Sequence, residues 1–309
     1  MKVFIKTGVK TSIKHIILSI TLLFAAAVES FCGTKRALCI FIGDYPEESG
    51  WNKLASQNDK AVVLDMLRKN GFYDENVTCI EEAAATFDAI NKAFGRLAAE
   101  TQKGDMIYVH FSCHGQQITD QDGDEALRNP ADRYDEAIIP YDAGIAYDWH
   151  SYRGEHHLLD DILNAYFDTI QRAAGKNGYL LVIYDACHSG DLDRDNKETS
   201  LNYRGTFDVF RQPYTGKGRK DAVNRPVTWM SISACKDFQT NYEVEIDGEM
   251  YGRLSLAISR CLKNGITFEA LIAALEREYA TLPLPKGRMQ TLKYEASARQ
   301  NTQKLFADE

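Results

Sequence analysis

Near-continuous apolar runs recur along the chain at "ALCIFIGDY" (37–45), "VTCIE" (77–81), "MIYVHFS" (106–112), "YLLVIYDA" (179–186) and "VTWMSISA" (227–234). They are rich in β-branched residues and lack polar alternation, the pattern of strands covered on both faces in a parallel sheet. Between them apolar positions recur at helical spacing. "DKAVVLDMLRKNG" closes on Gly71, "TFDAINKAFGRLAAETQKG" on Gly104, and "LLDDILNAYFDTIQRAAGKNG" on Gly175 or Gly178. Strand and helix alternate, which predicts an α/β fold. Past the fifth strand, "GRLSLAISRCLKNG" and "TFEALIAALEREYATL" read as two further helices and "QTLKYEA" as a weak strand. Residues 191–226 show little periodicity and mix Arg, Lys and Asp with glycines, which predicts an exposed linker loop.

Composition narrows the picture. A chain of 309 residues with 44% hydrophobic content buries one sizeable core. Its net charge of −8 leaves no general basic field, which argues against nucleic acid as a partner and for a cationic ligand. At the N-terminus, Lys2, Lys6, Lys10 and Lys14 precede the uncharged run "IILSITLLFAAAV" and then small residues. That is the form of an export signal over residues 1–30, with cleavage after Ala27 or Ser30. The expected product is a protein of the periplasm or the medium with no stable membrane insertion; an uncleaved anchor is the alternative. Glu29 and Phe31 make "ESFC" a poor site for lipid attachment at Cys32. The seven cysteines form no CxxC pair, so no zinc framework is present, and their odd count leaves a free thiol if the others pair.

In an open parallel sheet, ligands bind beyond the carboxyl ends of the strands. "MIYVHFSCHG" and "LLVIYDACHSG" carry their reactive residues at that end, which makes His114 and Cys187 candidate neighbours. A thiol nucleophile needs a group that takes its proton and later protonates the leaving amine, and imidazole has the pKa for both steps. The bland alternative is a satisfied buried histidine and an inert core thiol. Strand alternation points Asp185 the same way as Cys187, and Ser112 the same way as His114. A buried carboxylate needs a partner, which a substrate Arg or Lys would supply. Asp59 in "SQNDKA" reads as a helix N-cap, a second acidic pocket residue, or both. "DQDGDEALRNPAD" opens like a calcium loop, but Glu125 and Ala131 stand where an EF-hand needs Gly and Glu.

"HFSCHGQQ" and "YDACHSG", together with "NKLASQNDKAVVLDMLRKNGF", "DRYDEAIIPYD", "LLDDIL" and "ISACKDFQTNYE", resemble the motif set of metacaspases, in the caspase-like cysteine peptidases, over roughly residues 36–265. The resemblance implies a caspase-like three-layer sandwich: a mostly parallel six-stranded sheet flanked by helices. It divides residues 34–309 into a large-subunit-like part (34–190), the linker loop (191–226) and a small-subunit-like part (227–309). It makes Cys187 the nucleophile, His114 the general acid/base, and the N–H groups of Gly115 and Cys187 an oxyanion hole. Asp59, Ser112 and Asp185 would bind an Arg or Lys before the cleaved bond of a protein or peptide substrate. Asp135, Asp160 and Asp161 would bind activating calcium, with Asp191 or Asp193 completing the cage; no organic cofactor is implied. Self-processing would fall in the linker. His188 belongs to the motif but is not the base.

The chain departs from that pattern at Cys113, where metacaspases usually have glycine, and an oxidised pairing of Cys113 with Cys187 is one expectation. "ALRNPAD" and "GIAYDWHSYRGEHH" read as insertions, with His156 and His157 on a surface loop rather than on a metal. Two other readings stand beside the peptidase: a catalytically silent caspase-like binding or signalling module, and a clostripain-like or gingipain-like peptidase of the same fold.

Overall fold

The computed structural model describes residues 33–121, 123, 134–187, 202–214 and 227–307. The expected export signal, residues 1–30, and Cys32 lie outside the described residues. Six strands form one sheet: β1 (Lys35–Phe41), β2 (Val77–Glu81), β3 (Met106–Ser112), β7 (Tyr179–Asp185), β8 (Met230–Ser233) and β11 (Lys293–Glu295). Their spatial order is β11-β8-β7-β3-β1-β2, all parallel except β11, which closes the edge antiparallel to β8. Every residue of β3 is buried, as the unbroken apolar run predicts for a central strand.

Alternation along the strands splits the interior in two. Ala37, Cys39, Phe41, Tyr108, Leu181 and Ile183 pack on one face beneath α1 (Ser56–Lys69), α4 (Arg253–Cys261) and α5 (Phe268–Thr281). Leu38, Ile40, Val109, Phe111, Leu180 and Val182 pack on the other beneath α2 (Phe87–Glu100) and α3 (Asp160–Ala174). The result is an α/β fold, as the pattern predicts, in the three-layer sandwich that the resemblance implied. Thr86 and Thr267 cap α2 and α5 by accepting the N–H groups of Ala89 and Ala270, contacts worth about 1 kcal/mol each. Gly175, at φ 69°, is the glycine that ends α3. α2 stops before Gly104, because the Thr101 hydroxyl donates to the Leu97 carbonyl at 2.7 Å and closes the last turn.

Two small sheets follow no strong apolar run. β4 (Gly115–Thr119), β5 (Tyr134–Ile138) and β6 (Leu158–Leu159) form an antiparallel trio beginning directly after His114. β9 (Glu243–Ile246) and β10 (Glu249–Gly252) form a hairpin whose two-residue turn, Asp247-Gly248, has φ 55° and 86°. An Asp-Gly pair with both φ positive matches the right-handed twist of its strands. The hairpin carries Gly252 onto α1 and starts α4 beside the end of β7.

The segment before β6 departs from expectation. His157 is only 2% exposed: its ring accepts from the Tyr152 hydroxyl and donates to Gln116 Oε1, and it packs on Phe210 with centroids 4.3 Å apart. His156 alone fits the surface-loop reading.

Candidate active site

β3 and β7 run parallel with Ser112 opposite Asp185. Two residues further, each strand delivers its reactive side chain: His114 from one, Cys187 from the other. The residues between them, Cys113 and Ala186, belong to the core on the far face. Alternation therefore turns Cys113 away from Cys187 and removes the expected pairing of those two thiols. The sulfur beside Cys187 is Cys235, at 4.0 Å; both thiols donate to the Gln239 carbonyl, at 3.4 and 3.2 Å.

His114 is held on all sides. Its Nε2 lies 2.8 Å from the Asn52 carbonyl, and its ring packs against Trp51 and Tyr45, centroids 4.8 and 5.1 Å away. A carbonyl can only accept, so Nε2 carries the hydrogen and Nδ1 is left as the basic atom. Nδ1 is buried and has no hydrogen-bond partner. Burial pushes the imidazole pKa down to about 4, against the opposing pull of the Asn52 carbonyl. The ring is neutral at physiological pH.

Behind the pair lies an acidic pocket, and it is filled. Arg204, in the part of the chain expected to be an exposed linker, is 0% exposed. Its Nη2 meets Asp59 Oδ2 at 2.7 Å and Glu243 Oε1 at 2.9 Å; its Nη1 donates to Ser112 Oγ at 2.8 Å and lies 3.7 Å from Asp185 Oδ2. Asp59 is the fourth residue of α1, whose N-cap is Ala55, so it does not cap the helix; it stands buried beside Arg204. Its carboxylate accepts from the Ser112 hydroxyl and the Gly252 N–H, each at 2.8 Å. Asn241 and Ser255 donate to Asp185 at 2.7 Å. Behind Ser255, Tyr108 donates to His110, which donates to the Ser255 hydroxyl, so a buried chain of donors ends on Asp185.

Burial raises Asp59 to about 6 even against the attraction of Arg204. The same burial acts on Asp185, but the Arg204 charge and the Asn241 and Ser255 hydrogen bonds outweigh it and hold Asp185 below the usual carboxylate range. Asp59 is thus the pocket acid that takes a proton first.

The chain around Arg204 lies along the cleft. Arg204 N–H donates to the Asn241 carbonyl at 2.9 Å, Glu243 N–H donates to the Asn202 carbonyl at 3.0 Å, and Tyr203 pairs antiparallel with Tyr242. Gly205 follows against the thiol residue: a Cβ there would stand 2.6 Å from the Cys187 carbonyl oxygen and 3.1 Å from both Cys187 Cβ and the Gly115 carbonyl oxygen, and its φ is 154°. Further on, Phe210 is buried and exchanges backbone hydrogen bonds with Gln117 and Thr119 of β4. A short irregular segment, bridged at Tyr203 and Phe210 and bent between them, crosses the site with Arg204 as its anchor.

The expected calcium ligands are less gathered. Asp135 lies on β5, and the pairing of Ala137 with Leu159 brings that strand beside Asp160 and Asp161 in the first turn of α3. Among the described residues no three carboxylate, histidine or thiol groups converge to hold a metal ion. Asp191, Asp193 and His188 lie outside the described residues, as does most of the failed calcium loop.

Ser255 and His110 were not singled out from sequence; Cys235, Asn241 and Glu243 lie in the quoted "ISACKDFQTNYE" without an assigned role, and Arg204 was one of several basic residues of the expected linker. Only the Asp247-Gly248 turn signalled the hairpin that carries Glu243.

The sequence model of the "Metacaspase, peptidase C14 domain" family matches residues 35–193. Metacaspase III c of Phaeodactylum tricornutum is 30% identical over 164 residues, covering 52% of this chain and 44% of the relative. Metacaspase-1B of Aspergillus niger is 29% identical over 210 residues, covering 57% of this chain and 44% of the relative. Metacaspase-1 of Schizosaccharomyces pombe is 25% identical over 308 residues, covering 81% and 66%. The chain thus spans about half the length of the first two relatives. A solved protein of Geobacter sulfurreducens superposes with a TM-score of 0.59 at 22% identity, covering 89% of this chain and 98% of that one; the likeness shows the fold.

Proposed function

The chain belongs to the metacaspase family, and from that premise we propose that it is a cysteine endopeptidase cutting on the carboxyl side of Arg or Lys, its own chain included. The observation that carries the reading is a guanidinium ion-paired to Asp59 and Glu243 and seated beside Ser112 and Asp185, with the next peptide against Cys187. Buried carboxylates are costly without a cation, so the pocket is built for a basic side chain. Arg204 stands where the residue before the cleaved bond would stand, which makes Arg204–Gly205 the self-processing bond.

In the reaction, His114 Nδ1 takes the Cys187 proton and the sulfur attacks the Arg204 carbonyl carbon. The Gly115 and Cys187 N–H groups steady the oxyanion. The C–N bond to Gly205 breaks, its nitrogen takes the proton from Nδ1, and a thioester remains on Cys187. Water, deprotonated by the same nitrogen, then releases the Arg204 carboxylate and restores the thiol.

One observation favours the silent-module reading: the thiol donates to the Gln239 carbonyl while His114 Nδ1 receives no bond. A plugged precursor accounts for both features, because catalytic hydrogen bonds tighten when substrate is engaged. Mass spectrometry of purified wild type and Cys187→Ala decides between them. The expected result is a cut between Arg204 and Gly205 in wild type alone, with hydrolysis of Arg-ending fluorogenic peptides. Intact chains in both, with no peptide turnover, would leave the binding module standing.

Export through residues 1–30 and activation by calcium extend the proposal on the resemblance alone. Neither enters the chemical steps; a chelator titration of peptide hydrolysis tests the second, and turnover unchanged by chelator would overturn it.

A further inference from the structure

We infer that Glu243 makes the pocket select arginine over lysine, an inference that rests on the peptidase reading of the same site. The two terminal nitrogens of Arg204 have separate stations. Nη1 faces Ser112 and Asp185, whereas Nη2 is taken by Asp59 and Glu243 together. A lysine carries one nitrogen and fills one station, leaving buried carboxylate oxygens at the other without a cation. Glu243 has no other cation within ion-pair reach among the described residues. Its Oε1 also accepts the Ala55 N–H at 2.8 Å, which holds the carboxylate at the Nη2 end. The same residue's backbone N–H takes the Asn202 carbonyl, two residues before the proposed cut. Glu243 therefore meets the substrate twice, by a backbone hydrogen bond that any side chain permits and by a side-chain charge that only a guanidinium at full depth reaches while Asp185 is also met.

The experiment compares kcat/KM for matched peptides ending in Arg and in Lys, in wild type, Glu243→Gln and Glu243→Asp. Gln keeps an oxygen for the Ala55 N–H and removes the charge; Asp keeps the charge and withdraws it by one methylene. Wild type is expected to prefer Arg by about tenfold or more, and both variants to lose most of that preference through the Arg peptide while Lys turnover changes little. An Arg/Lys ratio unchanged in both variants, or near one in wild type, overturns the inference and leaves the peptidase reading intact. Turnover of neither peptide by wild type overturns the reading itself, and the inference with it.

A different observation carries a second inference. Cys235 Sγ lies 4.0 Å from Cys187 Sγ, both buried, and we infer that peroxide joins them. The Cys187 sulfur is oxidised by hydrogen peroxide to a sulfenic acid with loss of water. The Cys235 thiol then attacks that sulfur, its proton leaves with the sulfenic oxygen as water, and the disulfide forms. Peroxide treatment followed by dithiothreitol should restore Arg-peptide hydrolysis in wild type but not in Cys235→Ser, where oxidation proceeds past recovery. Non-reducing peptide mapping should find the Cys187–Cys235 bond. Equal recovery in both proteins, or a mapped bond to Cys113, would overturn it.

Discussion

The tips of β3 and β7 and the segment from Asn202 to Phe210 meet at one cleft but reach it by different physics. The tips are placed by strand register: once Ser112 faces Asp185, His114 and Cys187 follow two residues on, and Asn52, Trp51 and Tyr45 then fix the imidazole. The segment 202–210 is held at Arg204 by charge and a few backbone hydrogen bonds, and at its far end by Phe210, buried against Tyr147, Tyr152 and His157. On the proposed self-processing, the scaffold would stay when the segment is cut, and the segment, its latch, would leave when another cation meets its carboxylates.

Substitutions can separate the two regions. The largest effect is expected from Cys187→Ala, which removes the chemistry and leaves the latch: hydrolysis should fall by about a thousandfold or more, with the fold and thermal midpoint retained. Arg204→Ala does the reverse. It leaves Asp59, Asp185 and Glu243 buried without their cation and should cost about 3–5 kcal/mol near neutral pH, measured by denaturant titration. The pH sign follows from Asp59. Its folded pKa, about 6, lies above the ordinary 3.8, so the folded state holds that proton more tightly and stability falls as pH rises through this window. Without Arg204 the carboxyl rises further, and the deficit of Arg204→Ala should shrink as the solution is acidified. An unchanged deficit from pH 8 to about 5 would show that the carboxylates carry none of it.

Asp185→Asn should reduce kcat/KM for Arg peptides by about 2–5 kcal/mol equivalent, mainly in KM. Gly252→Ala probes the pocket floor by shape alone. Its backbone φ of −64° accepts any residue, but a Cβ would stand 2.3 Å from Asp185 Oδ2 and 2.5 Å from Arg204 Cζ. A loss of about 1–3 kcal/mol in Arg binding is expected, and full retention would mean that substrate does not reach the depth of Arg204. The smallest effect is a few-fold rise in KM for Arg peptides as pH falls below about 6 and Asp59 takes its proton.

Much of the scaffold was legible because strands buried on both faces must be apolar throughout. β2 and β3 coincide with "VTCIE" and "MIYVHFS", and β7 ends one residue before "YLLVIYDA" does. The same alternation that paired Asp185 with Cys187 also turns Cys113 away, an implication missed when closeness along the chain to His114 was taken as closeness to the thiol. β4, β5 and β6 carry too little apolar pattern to stand out. His157 was read as a surface residue because burial of a polar ring depends on partners, Tyr152 and Gln116, that share no motif with it.

By itself the order of apolar and polar residues determined the layered α/β scaffold and the rim where His114 and Cys187 stand, since burial on two faces and a period of two act residue by residue along the chain. Only the tertiary structure decided that Arg204 fills the acidic pocket, that Glu243 shares it, and that Cys235 is the sulfur beside the nucleophile. Ion pairing and thiol contact act through space between distant segments, and they leave no period in the sequence to read.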